Sequence, residues 1–535
     1  MIFNENNIPE FGSIQKSVYD ENTYYLLNND IQKLNTLLTA DALQPYLDEN
    51  QKFSVVTGAS AIVIDSETPT VYTYHSQTDR WYEMNICNHQ NIFRIMWERY
   101  RNQHNGVPIL GICVDYEHNT FARLNNAQYL SKGMDFNRFR CFGDRKRCNV
   151  ADDGTILCYY GDADYKDDGT NGQVMVYQPS FFYKVEPLKT TVKTTQNDDT
   201  NTGINLYKAN YYISDYAAEG FKRHPAFYDE SGNPIDYILF SAYEGSMYDV
   251  SAGAYVNDGT DTPADIETGD LLCSVGGVKP ISGLYKPLNK ENLEMMAQNR
   301  GTGWHLETIK SVSANQLLML VELGQANTQN GIEKGVVSVT DNAAYNCSAL
   351  TGSTAKVGNA TGYADETVIE INAVQTVVNT EGQRAISYRG MENPWGNIEK
   401  QINGMNIWGN GTLAGGQIYI ASDFSFNESI NSNNYTATAI TLPNDVGYTQ
   451  AVGYSADFDW LMMPSKNGGD STQPVGDHIY VASNLNGFKR GAFGGNWRSG
   501  VAAGCFSWNL RNNAGSYNRS TGGRLLYVPQ SSASL

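Results

Sequence analysis

The sequence predicts an α+β fold in which two helices flank a small twisted antiparallel sheet, preceded by a small, mainly β N-terminal region. Helical patterns at residues 290–299 and 314–323 give the α part of this prediction. Residues 130–260 give the β part, because short apolar runs alternate there with Asp- and Gly-rich turns. The apolar run RLLYV predicts a last strand at residues 525–528, which we expect to pair within the same sheet.

The composition is that of a folded protein with many turns and little charge. Of the 535 residues, 41% are hydrophobic and 18% are charged, so the chain can bury a core without disulfides. Its 50 glycines and 35 tyrosines favour short strands and a large loop fraction. Tyrosine also suits exposed binding surfaces, although we assign most of these tyrosines to half-buried strand faces.

The formal net charge of −19 argues against nucleic acid or an anionic membrane as a partner, since binding to either needs clustered Lys and Arg. One basic cluster lies among Asp135, Asp144 and Asp152, and we interpret it as a local network of ion pairs. Its members are Arg138, Arg140, Arg145, Lys146 and Arg147. The sequence shows neither a signal-peptide pattern nor an apolar run of the ~20 residues that a spanning helix needs, so we expect a cytoplasmically made protein without membrane insertion.

Residues 1–50 are predicted to form an extended arm and a short helix. Ile31, Leu34 and Leu38 lie at helical spacing, and Pro45 limits the helix. This apolar face is too small to fold alone. It either packs on the next domain or self-associates around an oligomer axis.

Residues 51–115 are predicted to form a small β-rich domain, and residues 116–535 the C-terminal domain. Within the small domain, two alternating strands flank a polar turn at residues 77–79, and residues 90–104 have the spacing of an amphipathic helix. The run ILGICV that follows predicts a buried strand.

The caps of the two C-terminal helices are predicted from local patterns. Asn289 precedes KENLEMMAQN and is expected to cap it. Ser313 is expected to open the second helix in a capping box closed by Gln316, and Gly324 to end that helix. The apolar face of the first helix comprises Leu293, Met296 and Ala297.

Seven segments between residues 130 and 530 occur in a specific order. They are NGQVMVYQPSFFYKV, EGFKRHPAF, DYILFSAYEGS, GVKP, NRGTGWHLETIKSVSANQLLMLVELG, SYRGMENPWGNIEKQINGMNI and GGNWRSGVAAGCFSWNLRNNAGSYNRSTGGRLLYV. Together they resemble the C-type-lectin-like domain of the formylglycine-generating-enzyme type, and in particular the variants found in tail or head fibres of phages that infect gut and Gram-positive bacteria.

The resemblance implies where the ligand binds. In this group a motif begins with GG-x-W, here residues 494–497, and ends with G-x-RLLY, here Gly523 and residues 524–527. The segment between them, matched to residues 496–521, is hypervariable and contacts the ligand in targets of diversity-generating retroelements. Four asparagines resemble the asparagine-rich pattern of that group: Asn509, Asn512, Asn513 and Asn518.

The composition of residues 496–521 agrees with a binding surface, because aromatic and Arg side chains stand among Ser, Gly and Asn. We predict ligand contacts at Asn496, Arg498, Ser499, Ser507, Trp508, Arg511, Asn513, Tyr517 and Arg519. The main exposed anchors are predicted to be Arg498, Trp508, Arg511, Tyr517 and Arg519. Core packing is the alternative for Trp497, Phe506 and Trp508.

The function predicted from this resemblance is that of a non-enzymatic bacteriophage virion-surface protein, a tail or head fibre that binds a host-surface glycan or protein. We expect a homotrimer that contacts other virion proteins through its N-terminal region. The alternatives are a capsid or collar decoration fibre without a receptor, and a fibre-borne glycan-degrading enzyme. No motif indicates paired catalytic carboxylates.

No catalytic residue, metal or cofactor is predicted. The parent family uses a close pair of cysteine thiolates to hold copper, but only Cys505 lies in the matching region, and Cys347 is the next cysteine before it. The eight cysteines have no CxxC spacing, and the histidines have no metal-binding spacing; we expect Trp304 and His305 to be packing residues. Turn formation is preferred over calcium binding for Asp162, Asp164, Asp167 and Asp168.

Overall fold

The structure is a computed structural model, and the chain separates into two compact units, Met1–Gly106 and Val107–Leu535. In the first unit it describes only the backbone of five strands. In the second unit it describes residues 108–194, 202–257, 265, 269–284, 288–411, 416–426 and 434–530.

The first unit contains a five-stranded sheet in the order β1-β2-β3-β4-β5. Its strands are β1 (Gln15–Lys16), β2 (Thr23–Tyr25), β3 (Ser60–Val63), β4 (Thr70–His75) and β5 (Arg80–Met84). β4 and β5 pair antiparallel, with Tyr74 opposite Trp81, which confirms the two strands predicted around residues 77–79. The helices predicted near Ile31, Leu34 and Leu38 and at residues 90–104 lie outside the described residues.

The described residues of the second unit contain 28 strands and four α-helices. The strands before the central helices are β6 (Leu110–Asp115), β7 (Thr120–Asn125), β8 (Lys146–Val150), β9 (Ile156–Tyr159), β10 (Gln173–Pro179), β11 (Phe182–Val192), β12 (Ile204–Ser214), β13 (Lys222–Arg223), β14 (Tyr237–Ser241), β15 (Ser246–Asp249), β16 (Ala254–Tyr255) and β17 (Leu271–Cys273). The helices are α1 (Arg140–Gly143), α2 (Lys290–Gln298), α3 (Ile309–Leu323) and α4 (Thr328–Gly331).

The remaining strands are β18 (Trp304–Leu306), β19 (Gly362–Tyr363), β20 (Thr367–Ile371), β21 (Val374–Val378), β22 (Ile386–Tyr388), β23 (Met391–Glu392), β24 (Glu399–Asn410), β25 (Gln417–Ala421), β26 (Tyr435–Thr441), β27 (Gly447–Gly453), β28 (Pro464–Gly469), β29 (His478–Tyr480), β30 (Asn486–Gly494), β31 (Gly504–Asn509), β32 (Thr521–Gly522) and β33 (Leu525–Tyr527). Short 3-10 helices lie at Asn126–Tyr129, Met134–Arg138, Ala355–Val357, Ala456–Phe458 and Gly500–Ala502.

The prediction of an α+β fold with a small twisted antiparallel sheet is wrong. The chain is mostly β, with 38% strand and 13% helix, and one sheet of the second unit has 14 strands. A six-stranded sheet, two three-stranded sheets and a two-stranded sheet accompany it. Nine strands of the largest sheet, β24 to β32, lie C-terminal to residue 398, in the region where the sequence shows short strands among many turns. These strands join strands from the start of the second unit, because β27 pairs with β12. A sequence pattern does not reveal such long-range pairing.

Four local predictions in the second unit are confirmed. β6 is buried, as the run ILGICV predicts, and it pairs with β7 and β12. Asn289 caps α2, because its side chain accepts a hydrogen bond from the backbone N–H of Asn292. β33 pairs with both β14 and β18, so the RLLYV strand lies inside the six-stranded sheet. The apolar face of α2 contributes Leu293, Met296 and Ala297 to the same core.

The predicted start of α3 is wrong, because the helix begins at Ile309 and not after Ser313. Thr308 is the N-cap and forms a capping box with Ser311. Ser313 lies inside the helix, where its hydroxyl donates to the backbone oxygen of Trp460 at 2.7 Å. All residues of α3 except Lys310 are buried, so tertiary contacts allow polar residues within it. Gly324 ends the helix at φ 70°, as predicted.

The interpretation of the basic cluster as a local ion-pair network is wrong for its two most buried members. Arg145 donates to Gln178 and Asn315, and the Arg147 guanidinium donates to the backbone oxygen of Gly390, so both hold distant segments together. A local ion pair does join Arg138 to Asp135 at 3.4 Å. Asp152, in contrast, pairs with Arg300.

Candidate ligand-binding surface

The segment of residues 496–521 is anchored at both ends by buried structure. At its start, the Trp497 N–H donates to the Asn397 carbonyl at 2.9 Å, and the Trp497 side chain is fully buried. At its end, β32 pairs in parallel with β24, with Thr521 opposite Glu399. Between these anchors the chain forms a 3-10 turn, strand β31 and an irregular stretch that leads to β32. The segment therefore consists of one strand of the large sheet with a turn before it and an irregular stretch after it.

The nine predicted contact residues differ in exposure. The exposed members are Arg498, Arg511, Asn513 and Tyr517, and the half-buried members are Asn496, Ser499 and Arg519. The prediction that Trp508 is an exposed anchor is wrong, since Trp508 is 1% exposed and its ring lies 5.7 Å from that of Phe493. Ser507 is also buried, and its hydroxyl donates to the His478 carbonyl.

Trp508 and Ser507 are buried because of the position of β31 within the sheet. β31 pairs with β29 on one side and with β30 on the other, so it is a central strand and not an exposed loop. Residues on both faces of such a strand are covered. Trp497, Phe506 and Trp508 all pack in the core, as the alternative interpretation had it.

Asp341 joins two of the predicted arginines. It accepts hydrogen bonds from Arg519 at 2.6 and 2.7 Å and from Arg498 at 3.2 Å. Arg519 also donates to the carbonyls of Asn342 and Tyr345 and lies 5.6 Å from the Trp497 ring. The hydrogen bond from Arg519 is the main cause that lowers the pKa of Asp341 to about 2. Asp341 and Arg519 therefore fix the stretch before β32 to residues 341–345.

Arg511 has a different environment. Its guanidinium lies 4.9 Å from the ring centre of Tyr480, on strand β29. Within the described part of the chain, the guanidinium has no carboxylate or carbonyl acceptor. The Tyr480 ring thus orients Arg511, and the N–H donors of Arg511 have no acceptor among the described residues.

Half-buried aromatic rings continue from Tyr480 along the edge of this surface. The His478 ring lies 4.4 Å from that of Tyr480, and the Tyr448 ring lies 4.9 Å from that of His478. Tyr448 is on β27, which pairs with β29. Close by, Asn509 donates to both carboxylate oxygens of Glu399 at 3.2 and 3.1 Å. Aromatic, amide and cationic groups are therefore adjacent.

Sequence reasoning missed the side chains that support this surface. Tyr480, His478 and Tyr448 lie before the predicted segment, and Asp341 lies more than 150 residues before Arg498. The alternation in HIY was a detectable sign of a strand with one exposed face. No local sign pointed to Asp341, because its role depends on tertiary contact alone.

A cavity of about 540 Å³ lies beside β18. His305, interpreted from sequence as a packing residue, lines it and contacts Glu294 at 2.8 Å and Glu230 at 3.0 Å. Burial alone would lower the pKa of His305, but these two carboxylates outweigh burial and raise the pKa to about 9. The ring of Phe424 lies 4.7 Å from the imidazole. This cation is therefore already paired within the protein.

Three acidic and histidine side chains cluster at the turn between β6 and β7. Their possible ligand atoms, on Asp115, Glu117 and His118, lie within 4.8 Å of one another. Lys208 pairs with Asp115 and Lys189 with Glu117, so lysines already neutralise both carboxylates. We assign no metal to this cluster.

Two of the aspartates considered for calcium bond to their own turns. Asp162 accepts from the backbone N–H of Tyr159, and Asp168 accepts from Thr170. Asp167 accepts hydrogen bonds from the hydroxyls of Tyr165 and Tyr243. Among the helices that the structure describes, none is long and apolar enough to cross a membrane.

No family model and no curated protein matches this chain. The solved structures that align with it include the P3c, U1 and M1 variants of Major Tropism Determinant. Each alignment covers 89% of this chain and 95–96% of the other chain, at 10–11% identity and a TM-score of 0.23. A TM-score of 0.23 is below the level that indicates a shared fold.

Proposed function

We propose that this protein is a non-enzymatic virion-surface protein of a bacteriophage, and that the surface formed by residues 496–521 and strand β29 binds a receptor on the host cell. The phage context comes from the ordered segments that resemble phage fibre proteins. The observation that carries the binding role is the exposure of Arg498, Arg511 and Tyr517 on the turn and the irregular stretch that flank the buried strand β31. A rigid base with exposed Arg and Tyr side chains is a favourable basis for recognition.

The environment of Cys505 supports binding over the oxidative chemistry of the parent family. The copper site of that family needs two close cysteine thiolates, whereas Cys505 is the one cysteine in the sequence after Cys347. The Cys505 N–H donates to Thr328, and its carbonyl accepts from Gln316, which fits a structural role.

The N-terminal region has the anchoring role in this proposal. Residues 1–50 contact other virion proteins, the rest of the first unit connects them to the second unit, which begins at Val107 and includes β6, and three copies of the chain assemble into a homotrimer. Trimerisation would place three receptor-binding surfaces side by side and raise the apparent affinity for a cell.

The test is adsorption of the fluorescently labelled protein to a panel of gut and Gram-positive bacteria. The variant Arg498→Ala, Arg511→Ala, Tyr517→Ala should keep its melting temperature and lose adsorption, because exposed side chains contribute little to folding. Lys356→Ala, which removes an exposed cation outside this surface, is the matched control. Equal adsorption of the triple variant and the control would contradict the proposed surface. Absence of adsorption by the unaltered protein would favour a decoration fibre without a receptor.

A further inference from the structure

The receptor-binding surface is cationic on an acidic protein. The chain has a formal net charge of −19. Arg498 and Arg511 are exposed, and the amine of half-buried Lys489 bonds to Asn513 at the same surface. The nearby carboxylates are engaged, since Asp341 holds two arginines and buried Glu399 bonds to Asn509. An anionic polymer would therefore be attracted to this surface and repelled by most of the remaining molecule.

Arg511 is the best placed cation for this role. A guanidinium has five N–H donors in a planar fork that matches the two oxygens of a carboxylate or phosphate. In this protein the fork is exposed, has no acceptor within the described residues, and lies against the Tyr480 ring at 4.9 Å. Stacking on the ring restricts the long side chain before a ligand arrives, which lowers the entropy lost on binding. Arg498, by contrast, already donates to Asp341.

The neighbouring groups favour a sugar polymer over an acidic peptide. His478 and Tyr448 extend the row of half-buried rings beyond Tyr480, and rings of this kind contact the faces of sugars. The exposed amide of Asn513 and the hydroxyl of Tyr517 supply further hydrogen-bonding groups. The large apolar side chains of residues 496–521 are mostly turned inward, with Trp497, Phe506 and Trp508 buried. A peptide would find few apolar contacts there.

We infer that this surface binds an anionic polysaccharide, and that the Arg511 fork, oriented by Tyr480, holds one of its carboxylate or phosphate groups. The inference rests on the proposed receptor-binding function and adds the chemical class of the receptor. It assigns to Tyr480 the role of a positioning residue, which acts through Arg511.

The experiment measures binding of the full-length protein to three immobilised polymers as the NaCl concentration is raised. The polymers are phosphomannan, polygalacturonate and neutral dextran. Binding to either anionic polymer and not to dextran is expected, with an affinity that falls as salt rises. Preference for the first polymer identifies phosphate as the bound group, and preference for the second identifies carboxylate.

Four variants test the assignment of Arg511. Arg511→Gln should lower the affinity about tenfold or more and reduce the slope of log affinity against log salt by about one. Arg511→Lys keeps the charge but loses the fork, so it should retain the slope and bind with intermediate affinity. Tyr480→Leu should weaken binding while leaving the slope unchanged. Lys356→Gln, which also removes one exposed positive charge, should bind as the unaltered protein does.

Three outcomes would overturn the inference. They are equal binding to dextran, equal affinities of Arg511→Gln and Lys356→Gln, and failure of both anionic polymers to bind. If cells still adsorb the protein in the last case, and protease treatment of the cells abolishes adsorption, the receptor is a protein and the proposed function survives. If no cell adsorbs the protein, the proposed function fails as well.

Discussion

Trp508 and Arg511 lie three residues apart and have opposite roles. The Trp508 indole is buried beside Phe493 on a central strand, whereas Arg511 is exposed beyond the end of that strand. The same short segment contributes to both the core and the candidate surface. Substitutions at its buried residues should therefore affect stability, and substitutions at its exposed residues should affect binding.

Trp508→Ala should lower the free energy of unfolding by about 3–5 kcal/mol, because it leaves a large cavity in the core. Arg511→Ala should change the free energy of unfolding by no more than ~0.5 kcal/mol, because its side chain is exposed. Urea unfolding of the two variants measures both values. Similar stability losses in the two variants would contradict this division of roles.

His305→Gln should make stability less dependent on pH. The pKa of His305 in the folded protein is about 9, above its ordinary 6.5. The charged imidazole therefore stabilises the fold fully below pH 6.5, and this contribution is lost as the pH rises through 9. The stability difference between the unaltered protein and the variant should fall by on the order of 3 kcal/mol between about pH 6 and about pH 10.

The measurement is urea unfolding of both proteins across this pH range. His118→Gln is the control, because the His118 side chain is 67% exposed. A stability difference for His305→Gln that stays constant with pH would show that Glu230 and Glu294 do not hold a charged imidazole.

At the scale of elements, local sequence patterns predict single strands, a hairpin and a helix cap. They do not predict which distant strands pair. The β4–β5 pair, the cap of α2 and the strand β33 each depend on a few adjacent residues, and each was predicted from them. The parallel pairing of β29 with β31 was not predictable, because no sequence period records which distant strand is a neighbour. This pairing is what buries Trp508 and brings Tyr480 to Arg511.

The stretch between β31 and β32 should loosen when Arg519 is removed. Arg519 bonds to the Asp341 carboxylate and to the carbonyls of Asn342 and Tyr345, and charge-assisted hydrogen bonds of this kind contribute about 1.5–3 kcal/mol each. In Arg519→Ala, amide hydrogen exchange at residues 511–520 should become about tenfold faster or more, since tenfold corresponds to about 1.4 kcal/mol.

The matched control is Arg511→Ala, which removes a guanidinium from the same stretch without removing any bond to the backbone. Its exchange rates should equal those of the unaltered protein. If both variants exchange equally, Arg519 does not hold this stretch in place.

At the scale of the whole molecule, the two compact units divide the proposed roles. The unit Val107–Leu535 contains the large sheet, the buried helix α3 and the candidate surface. The unit Met1–Gly106 contains the proposed virion attachment and a separate five-stranded sheet. Because the second unit has its own core, it should remain folded without the first.

A fragment of residues 107–535 should therefore be a folded monomer, while the full chain forms a trimer. Light scattering after size-exclusion chromatography measures both states. The full chain should adsorb to cells with an apparent affinity at least about 10²-fold higher, because binding by one copy raises the effective concentration of the other two sites at the cell surface. Thermal melting of the fragment confirms that it is folded. A trimeric fragment, or one that adsorbs as tightly as the full chain, would place the oligomer contacts in the second unit and not in the N-terminal region.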